Sequence, residues 1–221
     1  MLKLIGIYDI ISALLGGGSM LKIYKTTSVE KKLKKAKRIS TDCWIDLVEP
    51  TTEEIDRVSS VTKIDKNLIL KMLDEEEMPR IEVDDGAILV VVDTPYLEDD
   101  EGHFSYNTRP LGIIISENNY VVTVSLSGTN ILNDFKKNRV RNFRSAKKTR
   151  FLIQILMNTA SSYQRALRIV NRKIELKEET LAKSTSNKDL IDMLDLEKTL
   201  VYFITLPLES CKLTNKHLPS L

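Results

Sequence analysis

The chain has 221 residues, with 33 Lys and Arg against 31 Asp and Glu, and a formal net charge of +2. This near-neutral balance excludes a protein whose whole surface is built to bind nucleic acid. Two cysteines far apart in sequence and only two histidines provide neither a disulfide framework nor zinc-ligand spacing, and they indicate a reducing compartment.

The first segment, residues 1–19, is predicted to be a fused tag and linker. Residues 1–15 are mostly apolar but fall short of the about 20 residues that a bilayer span needs. The Gly16-Gly17-Gly18-Ser19 run is typical of a flexible linker, and Met20 then resembles a second start. No later apolar run reaches membrane length, so the sequence predicts a soluble chain.

Residues 20–135 are predicted to form an α/β domain. Alternating apolar residues indicate strands at 21–24 and 43–47, and core packing is the default interpretation of Trp44 within the second. The lysine-dense segment between them is expected to be an exposed turn or edge. Thr51 and Glu54 form a capping-box pattern before a short helix, and Asp65 is placed to cap another that Pro79 ends.

Further strands follow in quick succession. The Asp84-Asp85-Gly86 run is a strong hairpin signal, and the continuously apolar residues 87–92 predict a strand covered on both faces. Residues 98–102 are predicted to be an acidic loop. Pro110 is expected to force an edge position or a bulge between two strand-like segments. The predicted strands of this part are 80–83, 87–92, 105–109, 111–116 and 120–125, with a helix from 131 to 135.

Residues 136–221 are predicted to be a basic connector followed by a long antiparallel helical hairpin. From 148 to 181, apolar residues recur at the steps of three, four and seven that typify a helix packed along a partner. A polar break at 184–187 precedes a second helical pattern at Leu190, Leu194, Val201 and Ile204, with a parallel row at Met193, Leu196, Leu200 and Phe203. Such an arm rarely ends a globular enzyme, so we expect the chain to be part of a longer protein. The first stripe comprises Leu152, Leu156, Tyr163, Leu167, Val170, Ile174 and Leu181.

The run Asp74, Glu75, Glu76 and Glu77 is the candidate metal site. Four carboxylates at a helix C-terminus oppose the helix dipole, and a divalent cation such as Mg²⁺ would compensate them. The alternative is a solvated acidic surface, or pairing of the carboxylates with Arg80 and nearby lysines. The sequence does not decide between these two interpretations.

The connector carries eight basic residues, which suit RNA, DNA or anionic lipid, or simply a charged solvent face. Phe135, Phe143 and Phe151 are spaced by eight, which fits the buried face of a helix better than base stacking, so no nucleic acid partner is expected. No nucleotide-binding loop, nucleophile elbow or zinc-protease motif is present, and the chain is interpreted as a non-enzyme. The basic residues are Lys136, Lys137, Arg139, Arg141, Arg144, Lys147, Lys148 and Arg150.

Four short segments, taken in order, carry a resemblance to a known family. They are W-I-D-L at 44–47 with P-T at 50–51 and E-E-I at 53–55, L-D-E-E-E-M-P-R-I-E at 73–82, A-I-L-V-V-V at 87–92 and P-L-G-I-I-I at 110–115. Together with residues 196–203 of the arm, they resemble the N-terminal cytoplasmic domain of the CorA family of divalent-cation channels. The resemblance covers about residues 20–210.

The resemblance implies an α/β/α sandwich around a mixed sheet, followed by a long antiparallel helical hairpin. It further implies a homopentameric Mg²⁺ channel, with Co²⁺ and Ni²⁺ as other permeant ions, anchored in the cell membrane by a C-terminal part that this chain lacks. Mg²⁺ bound between neighbouring cytoplasmic domains would hold such a pore closed, which requires tighter binding to the closed state.

This sequence departs from the family pattern in three places. It has no Gly-Met-Asn motif, and Lys71 occupies the position at which familiar members carry a carboxylate of the inter-subunit metal site. Pro207 interrupts the second helix of the arm, and the tail after it matches poorly. A zinc-type transporter domain of the same family, a soluble adaptor or nucleic-acid-binding module, and a hydrolase with carboxylate-bound metal remain as alternatives.

Overall fold

Seven strands form one mixed sheet in the computed structural model, which describes residues 21–27, 31–84, 86–100, 103–181, 193, 194, 196, 197 and 201. The order across the sheet is β2-β1-β3-β7-β6-β5-β4, with β3 and β7 parallel and the other neighbours antiparallel. The strands are β1 (Leu21–Thr26), β2 (Leu33–Lys35), β3 (Trp44–Val48), β4 (Arg80–Asp84), β5 (Ala87–Asp100), β6 (His103–Ser116) and β7 (Val121–Ser125).

Within residues 21–181, the described helices are α1 (Thr52–Thr62), α2 (Lys66–Lys71), α3 (Asn130–Lys136) and α4 (Lys148–Leu181). The predicted capping box of α1 is present, because Thr51 Oγ1 accepts from Glu54 N at 3.3 Å while Thr51 N donates to Glu54 Oε2 at 3.2 Å. Asp65 caps α2 as predicted, accepting from Asn67 N at 2.9 Å.

The two faces of the sheet have separate cores. One core is aliphatic and packs β1, β3, β5 and β7 against α1 and α2. The other core holds Trp44 with Phe135 of α3, Phe143 of the connector and Phe151 of α4. Helices therefore lie on both faces, and the predicted α/β/α sandwich around a mixed sheet is confirmed.

The lysine-dense segment is an edge strand, β2, and residues 87–92 are covered on both faces, both as predicted. The hairpin at residues 84–87 is also confirmed, since Asp84 pairs with Ala87 and Gly86 has a φ of 76° that favours glycine. Pro110 occupies an edge position as expected, although the two strand-like segments on either side of it are joined. It pairs with Asp93 within a continuous β6 and lies just beyond the β7 ladder, which ends at Gly112.

The predicted acidic loop at 98–102 is wrong in part. Glu98, Asp99 and Asp100 continue β5 and pair with β6, because the two strands extend past their neighbours as a two-stranded ribbon. The tip of the hairpin, residues 101 and 102, lies outside the described residues.

The long helix α4 begins where the apolar pattern predicts, at Lys148, and is described as far as Leu181. The three phenylalanines are buried as expected, but they do not share one helix: they come from α3, the connector and α4 and converge on Trp44. The second rod of the predicted hairpin falls mostly outside the described residues, of which 193, 194, 196, 197 and 201 are helical. The division of the chain at residues 19 and 135 stays a prediction.

Candidate functional site

The four predicted carboxylates lie in the turn between α2 and β4, past the end of the helix. Because α2 ends at Lys71, the run sits outside the last helical turn, where the dipole acts most strongly. Asp74 Oδ1 accepts from the backbone N–H of Glu76 at 3.0 Å and shapes the turn. Glu77 pairs with Arg80, so one of the four is engaged as the alternative interpretation supposed.

A short network of charges joins this turn to the sheet edge. Glu82 on β4 accepts from Lys71 Nζ at 2.9 Å and from Arg80 Nε at 3.0 Å. These two cations hold the pKa of the Glu82 carboxyl below its usual value, with the Lys71 hydrogen bond as the largest cause. Lys71 therefore places an ammonium group, paired with Glu82, at the position where the family pattern has a carboxylate.

The remaining two carboxylates, Glu75 and Glu76, border a polar cleft. The cleft has a volume of about 640 Å³ and lies between the turn and the β5–β6 ribbon. Its other lining residues are Tyr96, Tyr106, Asn107, Thr108 and Arg109.

Arg109 is held rigidly in this cleft. Its guanidinium carbon lies 3.7 Å from the centre of the Tyr96 ring, and its Nη1 donates to Ser127 Oγ at 2.7 Å. Burial raises the pKa of the Tyr106 phenol, so that side chain remains a neutral hydrogen-bonding group. The cleft thus combines two acidic side chains at its border with one fixed cation and several neutral oxygen atoms.

The geometry limits what the turn can do alone. Among the described residues, which include all of 74–77, no three His, Cys, Asp or Glu side chains come together to hold a metal ion. Mg²⁺ keeps several of its waters and needs only one or two protein carboxylates. Glu75 and Glu76 therefore suit a hydrated cation whose remaining ligands come from elsewhere, and the assignment of Asp74, Glu75, Glu76 and Glu77 stays a prediction.

A second charged group, which the sequence did not single out, lies in the core. Asp46 is fully buried on β3, and its carboxylate accepts from Thr123 Oγ1 at 2.9 Å and pairs with Lys136 Nζ at 2.6 Å. Trp44 Nε1 donates to the same Thr123 oxygen at 2.8 Å. Trp44 and Asp46 are two residues apart on one strand and so share a face, which gives the Trp-x-Asp pattern a structural reason. The signal in the sequence was a lone carboxylate inside an apolar strand.

None of the helices that the structure describes is long and apolar enough to cross a membrane. The combination found here is a mixed α/β/α sandwich followed by the 34-residue helix α4. It defines a class of α/β domain that continues into a long helix.

Comparisons with known proteins place the chain within that class. The family model described as "CorA-like Mg2+ transporter protein" matches residues 41–217. The cobalt/magnesium transport protein CorA of Methanocaldococcus jannaschii is 30% identical over 169 residues, which are 72% of this chain and 50% of that protein. The chain thus spans about half the length of this relative.

Solved structures agree. The soluble domain of the Methanocaldococcus jannaschii CorA superposes with a TM-score of 0.74 at 25% identity, covering 90% of this chain and 80% of that one. The complete structure of the same transporter gives a TM-score of 0.74 at 24% identity, covering 91% of this chain and 65% of that one. The ZntB cytoplasmic domain from Vibrio parahaemolyticus gives 0.57 at 12% identity, with coverages of 87% and 81%, and shows a shared fold alone.

The chain belongs to the CorA-like Mg²⁺ transporter family. The family match covers most of its length, and the fold is that of the soluble domain of CorA. The resemblance inferred from the sequence is thereby confirmed.

Proposed function

We propose that this chain is the cytoplasmic regulatory domain of a CorA-like divalent-cation transporter, and that it responds to Mg²⁺. The observation that carries the proposal is the combined match of sequence family and fold to the soluble domain of a cobalt/magnesium transporter. The complete protein would be a homo-oligomer, a pentamer in the pattern of the family, anchored in the cell membrane.

In this proposal the domain senses and does not catalyse. Mg²⁺ would bind at the acidic turn, and Co²⁺ or Ni²⁺ would be alternative transported ions. The turn supports this because Glu75 and Glu76 are exposed at the border of a polar cleft, where a hydrated cation can approach. Lys71 and Glu82 already neutralise each other next to it, so any cation would be attracted mainly by Glu75 and Glu76.

The regulatory step follows from linkage. A cation can favour one arrangement of neighbouring domains only if it binds that arrangement more tightly. Ligands from two subunits would satisfy this condition, because the turn alone supplies too few. The fold places the turn at the β4 edge of the sheet, outside both cores, where a neighbouring domain can reach it.

The experiment is a melting curve of the full chain with millimolar Mg²⁺ and with chelator. We expect Mg²⁺ to raise the melting temperature modestly, and the double variant Glu75→Gln/Glu76→Gln to lose that increase. The control variant Glu49→Gln/Glu53→Gln removes the same charge from exposed positions near α1, and Mg²⁺ should still raise its melting temperature. Equal curves with Mg²⁺ and chelator would refute a site in this turn and leave the family assignment intact.

The same assay addresses the permeant ion. The melting temperature is measured with Zn²⁺, Co²⁺ and Ni²⁺ at the same concentration as Mg²⁺, and the ions are ranked by the increase. A domain selective for Mg²⁺ should be stabilised by it without histidine or cysteine ligands. A response confined to Zn²⁺ would favour the zinc-type alternative, for which the present likeness shows the fold alone.

A further inference from the structure

The protein has a strongly segregated distribution of charge. Although the net charge is only +2, residues 136–174 contain twelve Lys and Arg and no Asp or Glu. A second run, residues 31–38, contains six Lys and Arg and no acidic residue. These two runs are about a hundred residues apart in the chain, so the sequence alone does not place them together.

The fold brings the two runs side by side at the β2 edge of the sheet. Leu33 N donates to Asn138 Oδ1 at 2.7 Å, and Asn138 Nδ2 donates back to Leu33 O at 3.1 Å. Thr26 and Ser145 exchange a second pair of hydrogen bonds at 3.0 and 2.9 Å. Four bonds therefore fix the connector against β1 and β2, and with it the charges of both runs.

The same surface continues along α4. At 3.6 residues per turn, Arg150, Arg165, Arg168 and Arg172 fall within about 60° of one another, so they form one exposed stripe roughly 33 Å long. Gln154 lies on this stripe, and its Nε2 donates to Arg141 O at 2.9 Å. That contact joins the connector to the arginine face. We call the whole feature the basic surface.

Most of its cations have no partner among the contacts of the described residues. Lys136 is paired with the buried Asp46, and Arg139 lies 3.6 Å from Asp134. Lys137, Arg141, Arg144, Lys147 and Arg150 are exposed or half-exposed, and none makes an ion pair in the described part of the chain. A surface of this kind attracts an extended anion.

The side chains between the arginines decide which anion fits. Ile153 and Met157 are 50% and 63% exposed and lie next to Arg150 on α4. Up to residue 174, α4 mixes exposed apolar side chains with Arg and carries no acidic residue, a pattern typical of the membrane interface. Base stacking would need exposed aromatic rings, whereas Phe143 and Phe151 are buried around Trp44.

We propose that the basic surface is a docking face for an anionic phospholipid membrane. The surface is broad and open, so it matches a plane of headgroups better than a single small anion. This inference goes beyond the proposed function and does not depend on the acidic turn, which lies at the opposite edge of the sheet.

The test is co-sedimentation of the full chain with vesicles of phosphatidylcholine alone and of phosphatidylcholine with about one third phosphatidylglycerol. We expect binding to the anionic vesicles at about 0.05 M salt and its loss at about 0.5 M, where charges are screened over about 4 Å. The phosphatidylcholine arm measures any uptake that the apolar residues 1–15 cause without charge.

Matched variants locate the contact. Arg150→Gln/Arg165→Gln should weaken binding about tenfold or more, while Arg57→Gln/Lys63→Gln removes the same charge from exposed positions near α1 and should change it little. Circular dichroism confirms that both variants fold. Equal loss in the two variants, or no binding to anionic vesicles at low salt, would overturn the proposal. So would displacement of the bound chain from vesicles by single-stranded RNA at lower phosphate concentration, since nucleic acid would then be the preferred partner.

Discussion

The two faces of the sheet differ in how they are built. The face under α1 and α2 is aliphatic, and Met72, just beyond α2, fills the space that a Cβ on Gly112 of β6 would need. The face under α3 and α4 holds the aromatic cluster and the buried Asp46–Lys136 pair. The first face is stabilised by aliphatic packing, and the second face by packed aromatic rings and a buried ion pair.

This contrast indicates how α4 is attached to the sheet. Rings from α3, the connector and α4 all meet Trp44, with ring centres 5.1 to 6.4 Å apart. The 34-residue helix therefore begins at the most specific part of the core. In a regulatory domain, such an anchor would carry a change in the sheet to the arm, whereas the aliphatic face would serve mainly for stability.

The largest effect is expected from Trp44→Ala. Truncation removes the centre of the aromatic cluster and the donor to Thr123, so we expect a loss of about 4 kcal/mol in the free energy of unfolding. Urea denaturation measures it. Leu47→Ala is the matched control, because Leu47 is fully buried on the other face of the same strand. An equal or greater loss for Leu47→Ala would contradict the unequal roles of the two faces.

The second prediction concerns the buried ion pair. Asp46→Ala leaves Lys136 without its partner in a mostly buried position, and we expect a loss of about 3 kcal/mol. The double variant Asp46→Ala/Lys136→Met should be more stable than the sum of the single effects predicts, because no charge is then left unpaired. Strict additivity in this double-mutant cycle would show that the pair contributes nothing specific.

These residues also show what sequence alone could predict. The capping residues Thr51 and Asp65, the hairpin at Gly86 and the start of α4 rest on local rules, and all four are confirmed. The role of Lys136 was not predictable, because its partner is ninety residues away and only the fold brings the two together. The sequence counted it as part of an exposed basic run.

The candidate site was predictable only as a set of residues. Sequence identified the run at 74–77, but which carboxylates are free depends on the pairing of Glu77 with Arg80 and on where α2 ends. The cleft beside them was missed, since Tyr96 lies past the predicted strand 87–92 and Arg109 lies where another strand was predicted to end. A continuous β6 through Pro110 is a tertiary effect: the ribbon offers that position a partner on one side only.

The third prediction tests the aliphatic face. A Cβ on Gly112 would meet Met72 Cγ at 2.4 Å and its sulfur at 2.5 Å, so Gly112→Ala forces Met72 to move. We expect a loss of about 2 kcal/mol from overpacking. In the Met72→Ala background the space beside Gly112 is open. The loss of stability that Gly112→Ala causes there should therefore be smaller than the loss it causes in the wild type. Thermal denaturation of the four proteins measures the coupling, and its absence would show that the two faces are equally tolerant.

The smallest effect is expected where β5 runs past both cores. Burial raises the pKa of Asp93 from 3.8 to about 6, and the pKa of Tyr163 on α4 is raised first by burial and then by the charge of Asp93. A carboxyl whose pKa is raised on folding binds its proton more tightly in the native state, so its contribution to stability falls as pH rises from about 4 to 6.

Asp93→Asn should remove that slope and stabilise the protein at pH 7 by no more than about 2 kcal/mol. The measurement is the difference in unfolding free energy between the wild type and Asp93→Asn across pH 4 to 7, in which other carboxylates cancel. If this difference does not change with pH, Asp93 is solvated in the native state, and the tight contact between sheet and arm ends with the aromatic cluster.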